Sequence, residues 1–463
     1  MDDSLDVVVL AAGKGTRMRS RRPKVLHPLV GLPLLEHVLR TAFSLSPRQV
    51  IVVVGHGADE VRAVFSGRGV EFVDQGDPRG TGHAVLSARE AVGAPRFLVL
   101  PGDVPLVPPE ALQALLRYHR EQGAVVSLLT THLPDPGPYG RVVRGEDGRP
   151  VRIVEAADAG PDELRIGEVN SGIWCLENVP DLWRALAGLS ASNAQGELYL
   201  TDLVARFAPA GRAAALPWPF PDDLRGINDR ADLAHVEGLL RHRILTAWMR
   251  EGVTVVDPAA VYPSPDATVG EDTVLLPGTH LLGRTAVGKG CTVGPGAFLV
   301  DSEVEDGARV WYSVLEGAHV GPEAQVGPYA HLRPGARIGR RARVGNFVEV
   351  KQATLGEDVR AGHLAYIGDA EVGAGANIGA GAITCNFQPG RTEKFRTEIG
   401  PGAFIGTNAS LVAPIHIGEG AVVGAGSVVT QDVPPYALAL ERAPLVVKPG
   451  WAHRKTKEGE ADG

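Results

Sequence analysis

The chain has 463 residues, 44% of them hydrophobic and 22% charged, the profile of globular protein long enough for more than one core. A formal net charge of −8 excludes a general nucleic-acid binder, and only three cysteines, widely spaced, exclude a disulfide framework or a metal knuckle. Glycine (58) and proline (35) are abundant without a Gly-X-Y period, so the glycines belong to tight turns or a repeat array rather than to collagen.

In chain order, the N-terminus carries no basic leader and enters an apolar strand at Asp6-Val7-Val8-Val9-Leu10. Residues 33–45 are predicted as a helix, 50–54 as a strand, 81–92 as a helix, 97–100 as a strand and 109–122 as a helix. This alternation predicts a mainly parallel sheet wrapped by helices, with ligands at the carboxyl ends of strands, where the loops after Leu10 and Leu100 fall. Between 228 and 252, Leu233, Val236, Leu240, Ile244 and Trp248 recur at steps of three or four, with Gly252 as a stop. That predicts a linker helix at 230–251, joining a domain at 1–229 to one at 252–463. No apolar run is long enough to span a bilayer, so a cytoplasmic protein without membrane insertion is expected.

Beyond the helix the period becomes six. Val269, Leu275, Leu281, Val287, Val293 and Leu299 form one series. Val320, Val326, Leu332, Ile338, Val344 and Val350 form another, and Ile399, Ile405, Leu411, Ile417, Val423 and Val429 a third. An inward aliphatic every sixth residue, followed by glycine and turn residues, predicts a triangular parallel coil whose turns hydrogen-bond to one another. The phase slips after Leu299, near Leu315 and between Thr384 and Ile399, and slips are expected to be expelled loops.

The run Leu10-Ala11-Ala12-Gly13-Lys14-Gly15-Thr16-Arg17-Met18 leaves the first strand as a glycine loop able to bring backbone N–H groups to phosphate. No Gly-Lys-Ser/Thr closes it as a Walker A, and Met18 stands where a dinucleotide fingerprint needs glycine. The cations Arg17, Arg19, Arg21, Arg22 and Lys24 follow, which reads either as a polyphosphate site or as a solvated basic loop. Asp103 reads either as a metal ligand or as a turn aspartate.

These segments resemble the sugar-1-phosphate nucleotidyltransferases. The resemblance extends through Gln75, Gly80-Thr81-Gly82-His83-Ala84, Gly102-Asp103, Tyr139-Gly140-Arg141, Glu155, Glu168-Val169-Asn170-Ser171-Gly172 and Gly226-Ile227-Asn228-Asp229. With the coil behind it, the pattern resembles that of the bacterial bifunctional N-acetylglucosamine-1-phosphate uridyltransferases/glucosamine-1-phosphate acetyltransferases over nearly the whole chain. The resemblance implies an α/β Rossmann-like nucleotidyltransferase domain, the linker helix and a left-handed parallel β-helix. It implies that Leu10, Ala11, Ala12, Gly13, Gln75, Gly80 and Thr81 hold the uridine end of UTP. It implies that Gly102 lies in the nucleotide site, that Gly140, Glu155 and Asn170 hold the amino-sugar of N-acetylglucosamine-1-phosphate, and that Asp103 and Asn228 bind Mg²⁺. Arg17 and Lys24 would neutralise charge during in-line attack on the α-phosphate, a reaction that needs positioning and neutralisation more than proton transfer.

In the coil, Asn346 to Lys351, Ala361-Gly362-His363-Leu364-Ala365-Tyr366, Asn377-Ile378-Gly379-Ala380 and Thr384-Cys385-Asn386-Phe387 resemble the acetyltransferase half of the same family. The resemblance makes His363 the base that takes a proton from the attacking amine, chemistry suited to imidazole. Read alone, His363 is equally a packed coil histidine. Arg333, Lys351, Tyr366 and Asn377 would bind glucosamine-1-phosphate, and Ala380, Asn386, Phe387, Thr407, Ala425 and Arg442 would meet acetyl-CoA. Phe387 stands where that family usually has Tyr, which removes a phenol, and Thr407 where it often has Ser. Cys291 and Cys385 read as spectator thiols. A homotrimer is also implied. The rival readings are a monofunctional nucleotidyltransferase with a structural or regulatory β-helix, and a non-catalytic assembly subunit.

Overall fold

The computed structural model describes residues 4–451; residues 1–3 and 452–463, the outer ends of the two expected domains, lie outside the described residues. The chain divides into two compact units, Met1–Arg241 and His242–Gly463.

The first unit is built on β1 (Leu5–Leu10), β2 (Gln49–Val54), β3 (Val70–Asp74), β4 (Arg96–Pro101), β5 (Val126–His132), β6 (Arg141–Arg144), β7 (Pro150–Val154), β8 (Glu168–Glu177) and β9 (Ala213–Pro217). They form one sheet in the order β9-β5-β8-β4-β1-β2-β3, with β6 and β7 attached beside β8. Pairing is parallel except at β8, which runs antiparallel to β4 and β5, and in the β6–β7 hairpin with its link to β8. Strands β1, β2 and β4 have apolar side chains on both faces because helices cover both. Val7, Val9, Val50 and Val52 belong to one buried cluster, and Val8, Ile51 and Val53 to the other.

Helices α1 (Leu34–Ser44), α2 (Ala58–Phe65), α3 (Thr81–Ser87), α4 (Pro109–Gln122), α5 (Pro180–Ala187) and α6 (Asp202–Phe207) supply that cover. The predicted helices at 33–45 and 109–122 are present, whereas the one expected at 81–92 ends at Ser87 and continues only as turns. Helix α7 spans Arg230–Arg250: Val236 belongs to a first-unit cluster with Leu29, Leu34, Leu106 and Ile227, and Leu245 and Trp248, themselves second-unit residues, to the second unit's core with Val253 and Val255. The fully buried residue of that last turn is Leu245 rather than the expected Ile244, which is only partly covered.

The second unit is a left-handed coil of parallel strands stacked into three sheets of eleven, ten and nine strands, here the first, second and third faces. Every aliphatic of the three hexad series is buried except Val269, which is half-buried. Two of the expected loops are absent. From Leu299 to Val304 and from Val310 through Leu315 to Val320 the sides are one residue short, while the strands stay in register (Leu299↔Leu315, Val304↔Val320). A triangular coil absorbs a missing residue at a corner because only the inward position must keep its place. The slip after Thr384 is a real insertion: the chain leaves after Ile383–Cys385 and rejoins at Thr397–Ile399.

Candidate functional site

In the first unit, neighbouring strand ends bring the loops together. Leu10 pairs with Pro101, Gly102 N–H donates to the Leu10 carbonyl at 2.9 Å, and Ala11 N–H to the Val53 carbonyl at 2.8 Å. A Cβ on Gly102 would stand 2.9 Å from the Leu10 oxygen, so only glycine lets the two loops approach this closely. Ala11, Ala12 and Gly13 thus lie beside Gly102 and Asp103. Lys24 Nζ pairs with Asp103 Oδ2. The Asp103 carbonyl accepts from Ile227 N–H at 3.0 Å, which brings Asn228 alongside, and Asn228 Oδ1 accepts from Arg17 Nη2 at 3.1 Å. Arg17, Lys24, Asp103 and Asn228 therefore form one cluster, although 211 residues separate Arg17 from Asn228.

Gln75 is anchored by its N–H on the Val54 carbonyl, and its Nε2 donates to the Gly80 carbonyl at 3.1 Å and lies 3.2 Å from His83 Nδ1. Burial, then the charge of Arg79, holds His83 below the usual imidazole range. Thr81 Oγ1 accepts from Leu200 N–H at 3.1 Å. The structure thus groups Gln75, Gly80 and Thr81. Gly140 and Asn170 meet through Asn170 N–H on the Gly140 carbonyl at 2.9 Å, next to a register shift in β8 between Asn170 and Trp174. A Cβ on Gly140 would come within 3.2 Å of Glu155 Oε2, so Glu155 completes that group. Burial pushes the Glu155 carboxyl above the usual range, with Asp158, Asp202 and Glu197 adding to it and the 3.0 Å bond from Thr201 opposing it. Pro101 packs against Gly172, whose Cβ would lie 2.9 Å from Pro101 Cγ.

In the coil, one corner between the first and second faces carries a column of one residue per turn. Asn346 pairs with His363, and His363 Nδ1 lies 2.7 Å from Asn346 Oδ1. The next turns place Ala380, Thr407 and Ala425 at the same corner, because Asn408 N–H donates to the Ala380 carbonyl and Gly426 N–H to the Thr407 carbonyl, both at 2.8 Å. Turns of such a coil are about 4.8 Å apart, so the column is a continuous edge with His363 near its foot and small side chains above it.

The second face holds the other group. Arg333 and Lys351 occupy equivalent ends of successive turns, and Arg333 Nη1 donates to Glu349 Oε1 at 2.8 Å, a bond that raises the already high arginine pKa. Tyr366 follows Glu349 in register, and its hydroxyl accepts from Asn386 Nδ2 at 3.2 Å across Gly368, where a Cβ would lie 2.4 Å from that hydroxyl. Asn386 also donates to Asp369 at 2.6 Å. Asn377 sits on the first face in register with Arg360. Phe387 is exposed under Lys394 Nζ, 4.3 Å from the ring centroid, and Arg442 lies exposed beyond the last turn. The single chain therefore groups Arg333, Lys351, Tyr366 and Asn386, and separately His363, Ala380, Thr407 and Ala425. No described contact joins Phe387 or Arg442 to the corner column.

Sequence reasoning missed several partners: Asn346 for His363, Glu349 for Arg333, Asp369 for Asn386, Thr201 for Glu155, and Gly226, whose N–H donates to the Tyr139 hydroxyl at 3.1 Å. In the coil the period was a usable signal, since Asn346 precedes His363 by one turn. Among the described residues, no group of three or more His, Cys, Asp or Glu is gathered as a metal site. No helix among them is long and apolar enough to cross a membrane.

Fold and sites together define a nucleotidyltransferase domain followed by a hexapeptide-repeat transferase. Residues 7–145 match the MobA-like NTP transferase domain, and residues 317–352 and 396–431 the bacterial transferase hexapeptide (six repeats). The chain is 46% identical over 447 residues to the bifunctional protein GlmU of Exiguobacterium sibiricum, covering 96% of this chain and 99% of that one. It is 48% identical over 457 residues to the bifunctional protein GlmU of Thermus thermophilus, covering 98% and 99%. The chain belongs to the bifunctional GlmU family: it is a nucleotidyltransferase and an acyltransferase in one polypeptide.

Proposed function

We propose that the chain makes UDP-N-acetylglucosamine in two transfers. The coil moves an acetyl group from acetyl-CoA to glucosamine-1-phosphate; the first unit then moves uridylyl from UTP to N-acetylglucosamine-1-phosphate and releases pyrophosphate. The observation that carries this reading is the presence, within one chain, of the Arg17–Lys24–Asp103–Asn228 cluster and of the His363 corner column.

In the first unit, Ala11 to Gly13 and Gln75 to Thr81 line the strand ends where the uridine would rest, and Gly140, Glu155 and Asn170 would take the sugar. Arg17 and Lys24 would neutralise the phosphates as the sugar phosphate oxygen attacks the α-phosphorus and pyrophosphate leaves. The donor set fits Mg²⁺: one carboxylate and one amide oxygen are hard ligands, and that ion commonly takes only one or two from protein, the rest from water and phosphate. Asp103 and Asn228 would hold it, and when bound it would supply further charge neutralisation at the α-phosphate.

In the coil, Arg333 and Lys351 would bind the sugar phosphate as a charge-assisted pair, with Tyr366 and Asn377 orienting the ring. Asn346 accepts from His363 Nδ1–H, which leaves Nε2 free to accept the ammonium proton as the amine attacks the thioester carbonyl. The thiolate of CoA leaves along the corner that Ala380, Thr407 and Ala425 keep open, and Asn386, Phe387 and Arg442 complete the acetyl-CoA contacts. The site would be completed by neighbouring copies in a homotrimer. Exposed Phe404 and Val422 on the first face, and Val314, Ile383 and Val428 on the second, supply apolar area for it. The reactions belong in the cytoplasm, where UTP and acetyl-CoA are made.

Mass spectrometry of products from UTP, acetyl-CoA, glucosamine-1-phosphate and Mg²⁺ tests the scheme. Formation of UDP-N-acetylglucosamine with thiol and pyrophosphate release supports it. Transfer from N-acetylglucosamine-1-phosphate alone would favour the monofunctional reading, and light scattering of a fully active monomer would remove the trimer.

A further inference from the structure

The two side chains proposed to hold the metal are each held by a cation of the phosphate loop. Lys24 Nζ pairs with Asp103 Oδ2, with side-chain exposures of only 15% and 23%. Arg17 Nη2 donates to Asn228 Oδ1 at 3.1 Å. The backbone that carries both cations is anchored, while their side chains remain long enough to exchange partners. His27 N–H closes the turn of Lys24 on its carbonyl at 3.1 Å, and Arg230 Nε ties the Met18 carbonyl, next to Arg17, at 3.2 Å. The carboxylate a metal needs is thus already neutralised in a sheltered place, and the amide oxygen is already accepting a charged donor.

We propose that Lys24 and Arg17 make metal binding conditional on the nucleotide. A divalent ion arriving alone finds the Asp103 and Asn228 oxygens already taken by Lys24 and Arg17 and must displace both cations to bind, although the Asp232 carboxylate lies 2.9 Å from Asn228 N–H. A nucleoside triphosphate removes that competition. Its oxygens draw Lys24 and Arg17 off Asp103 and Asn228, and the two freed oxygens then take the metal together with the phosphates. Lys24 and Arg17 so act first as guards of the metal ligands and then as phosphate clamps, and the order is nucleotide with or before metal. The inference rests on the uridylyl-transfer reading of this site.

Mn²⁺ binding to the full-length protein without nucleotide, followed by the loss of the free-ion electron paramagnetic resonance signal, tests it. Wild type should bind weakly, and Lys24→Met should bind roughly tenfold or more tightly, as expected when a nearby like charge is removed from a sheltered site. Arg17→Gln should show a smaller gain, and it carries the test if the Lys24 variant melts early. Adding Asp103→Ala to either variant should erase the gain. Tight binding to nucleotide-free wild type, or no gain in Lys24→Met and Arg17→Gln, overturns the guard. Full pyrophosphate release by Asp103→Ala alone would instead overturn the site reading on which it rests.

Discussion

The two halves assemble their candidate sites, each a few polar groups brought together, in opposite ways. In the first unit the cluster is gathered from remote segments: Arg17 reaches Asn228 across 211 residues, Lys24 reaches Asp103 across 79, and Thr201 reaches Glu155 across 46. In the coil the contacts repeat at one turn: His363 meets Asn346 across 17 residues and Asn386 meets Asp369 across 17. The first arrangement depends on each strand end and close glycine approach separately. In the second, the register of the parallel strands places every side chain at once, so a change that keeps the register leaves the rest of the site in place.

The sharpest way to break the comparison is to silence one half. Asp103→Ala should lower uridylyl transfer by roughly 10³-fold or more, as loss of the proposed metal ligand and of Lys24's partner implies, with acetyl transfer unchanged. Parallel pyrophosphate and thiol assays decide this, and a joint fall would mean the halves are not independent. Next, His363→Ala should lower acetyl transfer by about 10²–10⁴-fold, the usual worth of a general base. The variant should still convert N-acetylglucosamine-1-phosphate and UTP. If neither rate moves, the exposed His363 is not the base.

A smaller effect probes the coil's register. Gly368→Ala puts a methyl 2.4 Å from the Tyr366 hydroxyl and 2.7 Å from Asn386 Nδ2, so the ring must move while the strands stay paired. The Michaelis constant for glucosamine-1-phosphate should rise by about tenfold with the melting temperature nearly unchanged. A large loss of stability would show that the turn, not the side chain, was disturbed.

The smallest effect concerns burial in the first unit. Because burial raises the Glu155 carboxyl, the folded state holds that proton more tightly than the unfolded chain. The resulting stability is present below the unfolded carboxylate pKa and is lost as pH rises through the higher folded value. Glu155→Gln should therefore melt a few degrees higher than wild type near neutral pH and lose that advantage in acid, while binding the sugar more weakly. Equal melting curves at both pH values would show that the carboxyl ionises freely in the fold.

Much of this molecule was legible in its residues. The hexads named the inward side chains of the coil because one inward aliphatic per side is all a triangular turn requires, and the buried Leu275, Val326 and Ile405 follow from that rule. The strands at β1, β2 and β4 were legible as apolar runs bounded by turns. Resemblance supplied the candidate residues of both sites, but not their partners. Tertiary structure alone decided that Lys24 rests on Asp103 and Arg17 on Asn228, since nothing local couples segments so far apart. It alone decided that two phase slips are shortened sides rather than loops, because a missing residue and an expelled one break the period alike and only strand register separates them. Local spacing fixes which side chains point inward or outward; which of the outward ones meet depends on chain closure, and closure is a property of the whole fold.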